Sequence, residues 1–501
     1  MSKKENLGFA VISTHQLSKN FEPLLAKFIK EKLRLKVIFL VKTKKDEIYY
    51  NQNFPNIFDK TYTYSNDHST GKGKKISPDI EEMAVKFEKK YGCSIYRLFF
   101  NHRVIGRGFF SSGGVRHPRN RAHQEGSHKV FMDTALNKIN FWENLFKDNK
   151  VKLAINIPHY AHEIALKNNT KSLRLFAGRF KNTYAWTSVM GINPRVSRQE
   201  LKEAKPLSLE KYFLKTPYQS HLDQRKVLIK NLGINSIVKK TIFRTLQLIY
   251  GKLRGYEKSK NSYITDEVFY LWKYRKSYFE YLSYTKTNYE KMENKKFIFF
   301  PLLTEPEEAI HGTAKDFFFQ LSALNILARD LPADYRIVVK EHLLALGRRP
   351  IDFYRQISQH KNIIFADPKE RGLDLIKKCK AVACITGSSA WEATVMGVPV
   401  ISFSKYNEFN ILNHVFIVDN FTSLRDIFQK LEKNEFPNKN SILEGAKFYA
   451  AYLKKFLDVK DYNSLSPLAN SISQIPESLH EVANILFKDL KKKYLSDKKV
   501  F

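Results

Sequence analysis

Cysteine is nearly absent. Cys93, Cys379 and Cys384 are the only three in 501 residues, and no two form a Cys-x-x-Cys pair. That excludes a disulfide-built scaffold and a cysteine-based zinc site. A long apolar run is missing as well: nowhere do about 18 apolar residues follow one another, so no transmembrane helix is expected. The longest weakly charged stretch, Ala381 to Ser404, is broken by Gly387, Glu392, Gly397 and Pro399. Near the N-terminus only Leu7 to Ile12 is apolar, too short for a signal-peptide core and without a small-residue cleavage site. No helix-turn-helix, zinc-finger, RRM or KH pattern occurs, and there is no internal repeat. These absences lead us to expect a cytoplasmic chain without a metal or a bound cofactor, for which nucleic acid is not the partner.

Acidic residues are scarce beside basic ones, 50 against 85, which leaves a net charge of +35. Such a field favours polyanions, and an anionic membrane surface or an acidic glycan fits it, as does plain solubility. Hydrophobic residues make up 43% and aromatics 14%, enough at this length for two or three cores.

Residues 8–14 read as a buried strand, Phe21 to Lys32 as an amphipathic helix and residues 35–41 as a second strand, the opening of a doubly wound sheet. Residues 62–77 and 110–121 read as loops. Residues 151–157 form a strand, Ala161 to Lys167 a short helix, and Leu173 to Phe176 a further strand. Between 201 and 300 there are 21 Lys/Arg and 9 Asp/Glu, a net of 21 − 9 = +12. This Tyr- and Lys-rich stretch reads as a helical insertion or linker, either a solvated spacer or a surface-binding element. From Lys296 strands and helices alternate regularly: strands at 297–301, 336–340, 362–366, 381–385 and 400–403. Helices are expected at 313–328 (from a Thr313-x-x-Asp316 capping box), 351–359, 373–379 and 389–396. That rhythm is a parallel sheet. We expect four segments: 1–199, 200–292, 293–440 and a helical 441–501.

Three motifs carry chemistry. After the strand at 381, Thr386-Gly387-Ser388-Ser389 runs straight into a helix, where a glycine and free N–H groups suit a phosphate. Glu392 would accept from ribose hydroxyls; equally, Ser389 and Glu392 fit a capping box. Second, Lys340 and His342 leave the C-terminal edge of a strand, where ligands bind in open α/β sheets, with Glu341 turned to the other face. Third, Glu305, Glu307 and Glu308 follow the strand at 297, where a carboxylate near a transferring sugar can act as base or nucleophile; solvated loop acids are the other reading. In the N-terminal half, His15, His159, His162 and Glu163 follow strands and are acceptor-side candidates.

Lys340-x-His342, then Thr386-Gly-Ser-Ser-x-Trp391-Glu392-Ala393, then Gly397-x-Pro399-Val-Ile-x-Phe403, resembles the capsule polysaccharide biosynthesis family, GT-B proteins that include bacterial β-Kdo transferases. The resemblance covers about residues 296–405. It implies an α/β fold of two Rossmann-like domains facing a cleft, and a metal-independent glycosyltransferase building a bacterial capsule or lipopolysaccharide glycan. The donor it implies is a nucleotide-sugar, CMP-linked by preference, with UDP-sugar or CDP-glycerol as alternatives. In that family a His-Pro pair holds the nucleotide phosphate; His342 matches the His, and Leu343 stands where the Pro would be. An acid early in the C-terminal domain is catalytic there, and Glu307 is the positional match, with Glu where Asp is typical. A second resemblance, to CDP-glycerol glycerophosphotransferases, shares the basic-x-His strand but has Asp where Gly387 stands. A sugar-nucleotide epimerase and a non-catalytic polyanion- or glycan-binding protein are the remaining alternatives. A lipid-linked acceptor would bring the chain, peripherally, to the anionic inner face of the membrane.

Overall fold

The computed structural model describes residues 8–14, 19–64, 76–100, 102, 105, 127–178, 182–188, 194–208, 225–253, 264–285, 296–305, 314, 317, 319–349, 352–418, 423–459 and 468–496. Two compact units form: residues 1–99, 127–190 and 455–501 make the first, residues 100–126 and 191–454 the second.

In the first unit β1 (Phe9–Ser13), α1 (Phe21–Leu33), β2 (Lys36–Val41), α2 (Lys44–Asn53) and β3 (Lys60–Thr63) follow in turn. Then come α3 (Ile80–Tyr91), α4 (Ile95–Phe99), α5 (His128–Asp148), β4 (Val151–Ile155), α6 (His159–Lys167), β5 (Lys171–Ala177) and β6 (Thr183–Thr187). β1 pairs in parallel with β2 on one side and β4 on the other, Val11 facing Ile38 and Ala154. Helices cover both faces, which is why Val37 to Val41 and Leu153 to Ile155 are buried without alternation. On α1, Phe21, Leu24, Leu25, Ile29 and Leu33 recur at helical spacing and are buried.

The first helix described in the second unit is α7 (Arg198–Glu203), capped at its start by a Ser197–Glu200 capping box, followed by α8 (Ile234–Leu253) and α9 (Ile264–Leu282). The sheet follows as β7 (Lys296–Pro301), α10 (Gln320–Arg329), β8 (Tyr335–Lys340), α11 (Phe353–Ser358), β9 (Ile363–Ala366), α12 (Gly372–Lys378) and β10 (Ala381–Cys384). It ends with α13 (Ser388–Val395), β11 (Val400–Ser402), β12 (Val415–Ile417), α14 (Leu424–Lys433) and α15 (Lys439–Leu453). All six strands are parallel, in the order β12-β11-β10-β7-β8-β9. The chain then returns to the first unit with β13 (Leu457–Asp458), antiparallel to β6, and α16 (Glu477–Leu495). That sheet reads β13-β6-β5-β4-β1-β2-β3.

Both sheets thus contain the doubly wound order 3-2-1-4-5-6, counting from β1 in one and from β7 in the other. The two expected Rossmann-like units are present. Other expectations need amending. The 441–501 segment does not stay together: its last helix belongs to the first unit, where the Trp186 indole donates to the Leu486 carbonyl at 2.8 Å and Phe28 stacks on Phe487. Nor is the Tyr-rich 200–292 stretch merely a spacer. On α9, Tyr274, Ser277, Tyr278 and Tyr281 are buried at spacings of three and four, and the Tyr281 hydroxyl donates to the Ala366 carbonyl at 2.9 Å. The helix expected from Thr313 begins at Gln320, and Thr313 and Asp316 lie outside the described residues.

The crossing of α13 over α15 sets the seat of the Thr386 motif. Trp391 is fully buried, donates to Glu408 Oε1 at 2.8 Å and lies against Tyr452. At Gly445 the helices approach so closely that a Cβ would lie 2.4 Å from the Thr394 carbonyl oxygen. Gly445→Ala is therefore expected to cost about 1–3 kcal/mol through overpacking. Thermal unfolding followed by circular dichroism should show a transition lowered by several degrees.

Candidate nucleotide-binding site

In a doubly wound sheet ligands bind beyond the C-terminal strand ends, where the strand order reverses. In the second unit that point lies between β7 and β10. The loops after β10, β7 and β8 are three neighbours along one sheet edge, so the outer two strands sit roughly 10 Å apart.

After β10, Thr386 is buried and Gly387 takes φ +117°, a backbone that only glycine adopts without strain. Gly387 is the N-cap of α13, whose first intrahelical bond runs from Trp391 N to Gly387 O at 3.4 Å. The N–H groups of Ser388, Ser389 and Ala390 precede that bond, so they are the donors a helix start offers an anion. The Ser388 side chain is exposed and Ser389 half-buried. This placement removes the capping-box reading: Ser389 is already the second helical residue, and Glu392 falls in the second turn, half-buried.

At the end of β8, Lys340 is half-buried; burial and the nearby Arg225 guanidinium push its pKa down to about 8. The next residue, Glu341, is fully buried on the opposite face. It takes two hydrogen bonds from Arg349, Nε to Oε2 at 2.8 Å and Nη2 to Oε1 at 2.7 Å, and one from the Tyr354 hydroxyl at 2.8 Å. His342 then turns outward and keeps an edge exposed to solvent, although its crowded surroundings and the Lys340 ammonium push its pKa down to about 4. Its Nδ1 accepts from Leu344 N at 3.2 Å. The neutral ring therefore carries its proton on Nε2, a donor to spare for a phosphate oxygen.

After β7, the Leu303 backbone is held from two sides. Its carbonyl accepts from Arg349 Nη2 and from Gln320 Nε2, each at 2.8 Å. A Cβ on Gly387 would lie 3.0 Å from Leu303 Cδ2, so the Thr386–Ser389 turn rests directly on this loop. Glu305 does not occupy a cleft edge. It is 2% exposed, accepts from Gln320 N at 2.9 Å at the start of α10, and faces Arg349 Nη1 at 3.4 Å. Burial raises its pKa despite the guanidinium. For Arg349 burial disfavours the charge, but Glu341 and Glu305 outweigh it and raise the pKa. Glu305 is thus a buried partner of Arg349 and a remote helix cap, which corrects its expected catalytic role. Glu307 and Glu308 lie outside the described residues, as does His15.

In the first unit the corresponding reversal lies between β1 and β4. His159 opens α6, directly after β4, with His162 and Glu163 in its first turns. His162 is buried, and burial together with His159 pushes its pKa down to about 4. Its Nδ1 has no hydrogen-bond partner among the described residues.

Sequence reasoning noted the Gly347-Arg348-Arg349 run beyond His342 but gave Arg349 no role, and it did not find Tyr281, Tyr354 or Arg225. A Glu341 followed by apolar residues and then by the Arg348-Arg349 pair was the available signal, since a carboxylate inside a sheet needs a cation.

No protein-family model matches the chain, and no curated protein matches its sequence. Solved structures do. The chain is similar to the Thermosulfurimonas dismutans KpsC β-Kdo 2,7-transferase at 14% identity, over 68% of this chain and 88% of that one, with a TM-score of 0.32. It is similar to Anabaena Alr3699/HepE, solved in complex with UDP, at 10% identity over 96% and 100%, with a TM-score of 0.30. A UDP-GlcNAc 2-epimerase from Neisseria meningitidis, bound to UDP-GlcNAc, gives 14% identity over 89% and 99%, with a TM-score of 0.22.

Removing the shared cation tests the architecture of the site. Arg349→Leu leaves two buried carboxylates unpaired and is expected to destabilise the protein by about 3–5 kcal/mol. Arg349→Lys should rescue little, because one ammonium does not reproduce the bidentate fork and the bond to Leu303. Denaturant unfolding of both variants, with wild-type stability in the Lys variant as the contrary result, decides it.

Proposed function

We propose that this chain is a GT-B glycosyltransferase that takes a nucleotide-sugar donor in its second unit and elongates a bacterial surface polysaccharide. The observation that carries the reading is the helix start at Ser388, set at the strand-order reversal, with Lys340 and the outward Nε2 of His342 at the end of β8, two strands along the same sheet edge. Those groups suit a leaving phosphate. The Ser388 and Ser389 N–H groups and hydroxyls would donate to its oxygens, and Lys340 and His342 would add a cation and a neutral donor. In the transfer, an acceptor hydroxyl oxygen bonds to the anomeric carbon as the bond to the phosphate oxygen breaks, and the hydroxyl proton passes to a carboxylate. The capsule-family resemblance gives that role to Glu307. Glu392 is the candidate for ribose. A CMP-linked acidic sugar such as Kdo is the donor we favour, with no metal needed where N–H donors and cations stabilise the phosphate. The first unit would receive the acceptor near His15, His159, His162 and Glu163.

Calorimetry with CMP, CDP, UDP and GDP tests the donor site. Binding of at least one is expected, with a loss of about tenfold or more in His342→Ala and in Ser388→Ala; unchanged affinity in both would sink the assignment. Incubation with the donor but no acceptor, followed by NMR, must leave the sugar's configuration intact, since inversion within the free donor would make the protein an epimerase.

The pH dependence is a separate check. Lys340 titrates near 8 in the free protein, and a bound phosphate raises that value. Affinity should thus be steady below about pH 8 and fall as pH rises above it, because binding then requires proton uptake. Lys340→Arg, charged throughout this range, is expected to abolish the fall; an identical profile in that variant would exclude Lys340 from the phosphate site.

A further inference from the structure

The helix α8 belongs to the second unit by only one of its faces. On the inner side Ile237 is fully buried, and the Thr241 hydroxyl accepts from the Trp272 indole of α9 at 3.2 Å. On the outer side Ile234, Val238, Ile242 and Leu246 follow at steps of four, and Ile249 and Leu253 continue the row. At 3.6 residues per turn these six span an arc of about 120° and a stripe about 28 Å long. All are exposed: Ile242 by 57%, Leu246 by 59% and Leu253 by 82%. Scattered exposed leucines need no explanation, but a continuous aliphatic stripe on one helix marks an interaction surface.

Charge selects the occupant. From Arg225 to Leu253 the sequence has seven basic residues and no acidic one, and the exposed Lys239 sits at the rim of the stripe. A second copy of this surface would set cation against cation. An anionic bilayer offers apolar depth and negative headgroups together. We propose that α8 docks the chain on an anionic lipid surface, its stripe entering the boundary between headgroups and acyl chains while the flanking lysines and arginines meet lipid phosphates. The association is reversible and needs both parts: apolar burial supplies the adhesion and charge selects the lipid. It goes beyond the transferase reading and does not depend on it, since docking requires neither donor nor acceptor.

The test is flotation of the full chain with vesicles of phosphatidylcholine, alone or mixed with phosphatidylglycerol at about 7:3. Binding to the mixed vesicles only is expected. The double variant Ile242→Ser/Leu246→Ser should lose partition by about tenfold or more, with an unchanged circular dichroism spectrum because both side chains are solvent-facing. Ile485→Ser, an exposed apolar residue on α16, should bind as wild type. Wild-type binding by the double variant would reduce the attachment to charge alone and overturn the proposal. So would equal binding to neutral vesicles, binding to neither at low salt, or an equal loss in Ile485→Ser. A lipid-free dimer that the double substitution dissociates would make the stripe an interface between copies instead.

Discussion

The second unit is organised around one buried cation. Arg349 reaches from beyond β8 to Glu341, to Glu305 and to the Leu303 carbonyl. It thereby joins the ends of β7 and β8, while Glu305 and Gln320 tie in α10 and Tyr354 ties in α11. Two carboxylates share one guanidinium, and burial makes an unpaired charge there costly, so each member fixes the others in position. The exposed groups beside them inherit that rigidity. His342 follows Glu341 directly, with its N–H donating to Glu341 Oε1 at 2.6 Å, and Gly387 packs on the loop that Arg349 holds.

The Lys340–His342 and Thr386–Ser389 segments were legible because what defines them is local. A short apolar strand, a glycine and a helix-starting serine pair are contiguous in the chain, and the structure puts that turn at the end of β10. The alternation of strands and helices from Lys296 is equally local and reproduces β7 to β11 within a residue or two. What failed was non-local. Glu305 reads as a loop acid until Arg349, 44 residues on, is brought within 3.4 Å. Ser389 and Glu392 match a capping box by spacing, but the helix starts two residues earlier than that box requires, because Gly387 takes the N-cap with a φ that no pattern of residue types announces.

The basic stretch before Lys296 shows the same division. Its charge was plain, and its helicity too, but not which helix would face the core. α9 puts Tyr274, Tyr278 and Tyr281 inward, where their rings join the core around the parallel sheet. α8 has the richer aliphatic content and yet leaves most of it outside. Hydrophobic periodicity reports that a helix has an apolar face, and burial then depends on what the rest of the fold brings to it.

The return of the last helix bears on how the protein is made. α16 closes over α1 and β6 and adds Leu479, Val482, Leu486 and Leu490 to the core of the first unit. These residues leave the ribosome after the whole of the second unit. The unit begun first is therefore finished last, and its nascent sheet, with α1 uncovered along the edge where Phe28 will meet Phe487, must wait through the synthesis of several hundred residues, on the order of tens of seconds at ordinary elongation rates. Over that interval a partly covered apolar surface is what a chaperone would hold.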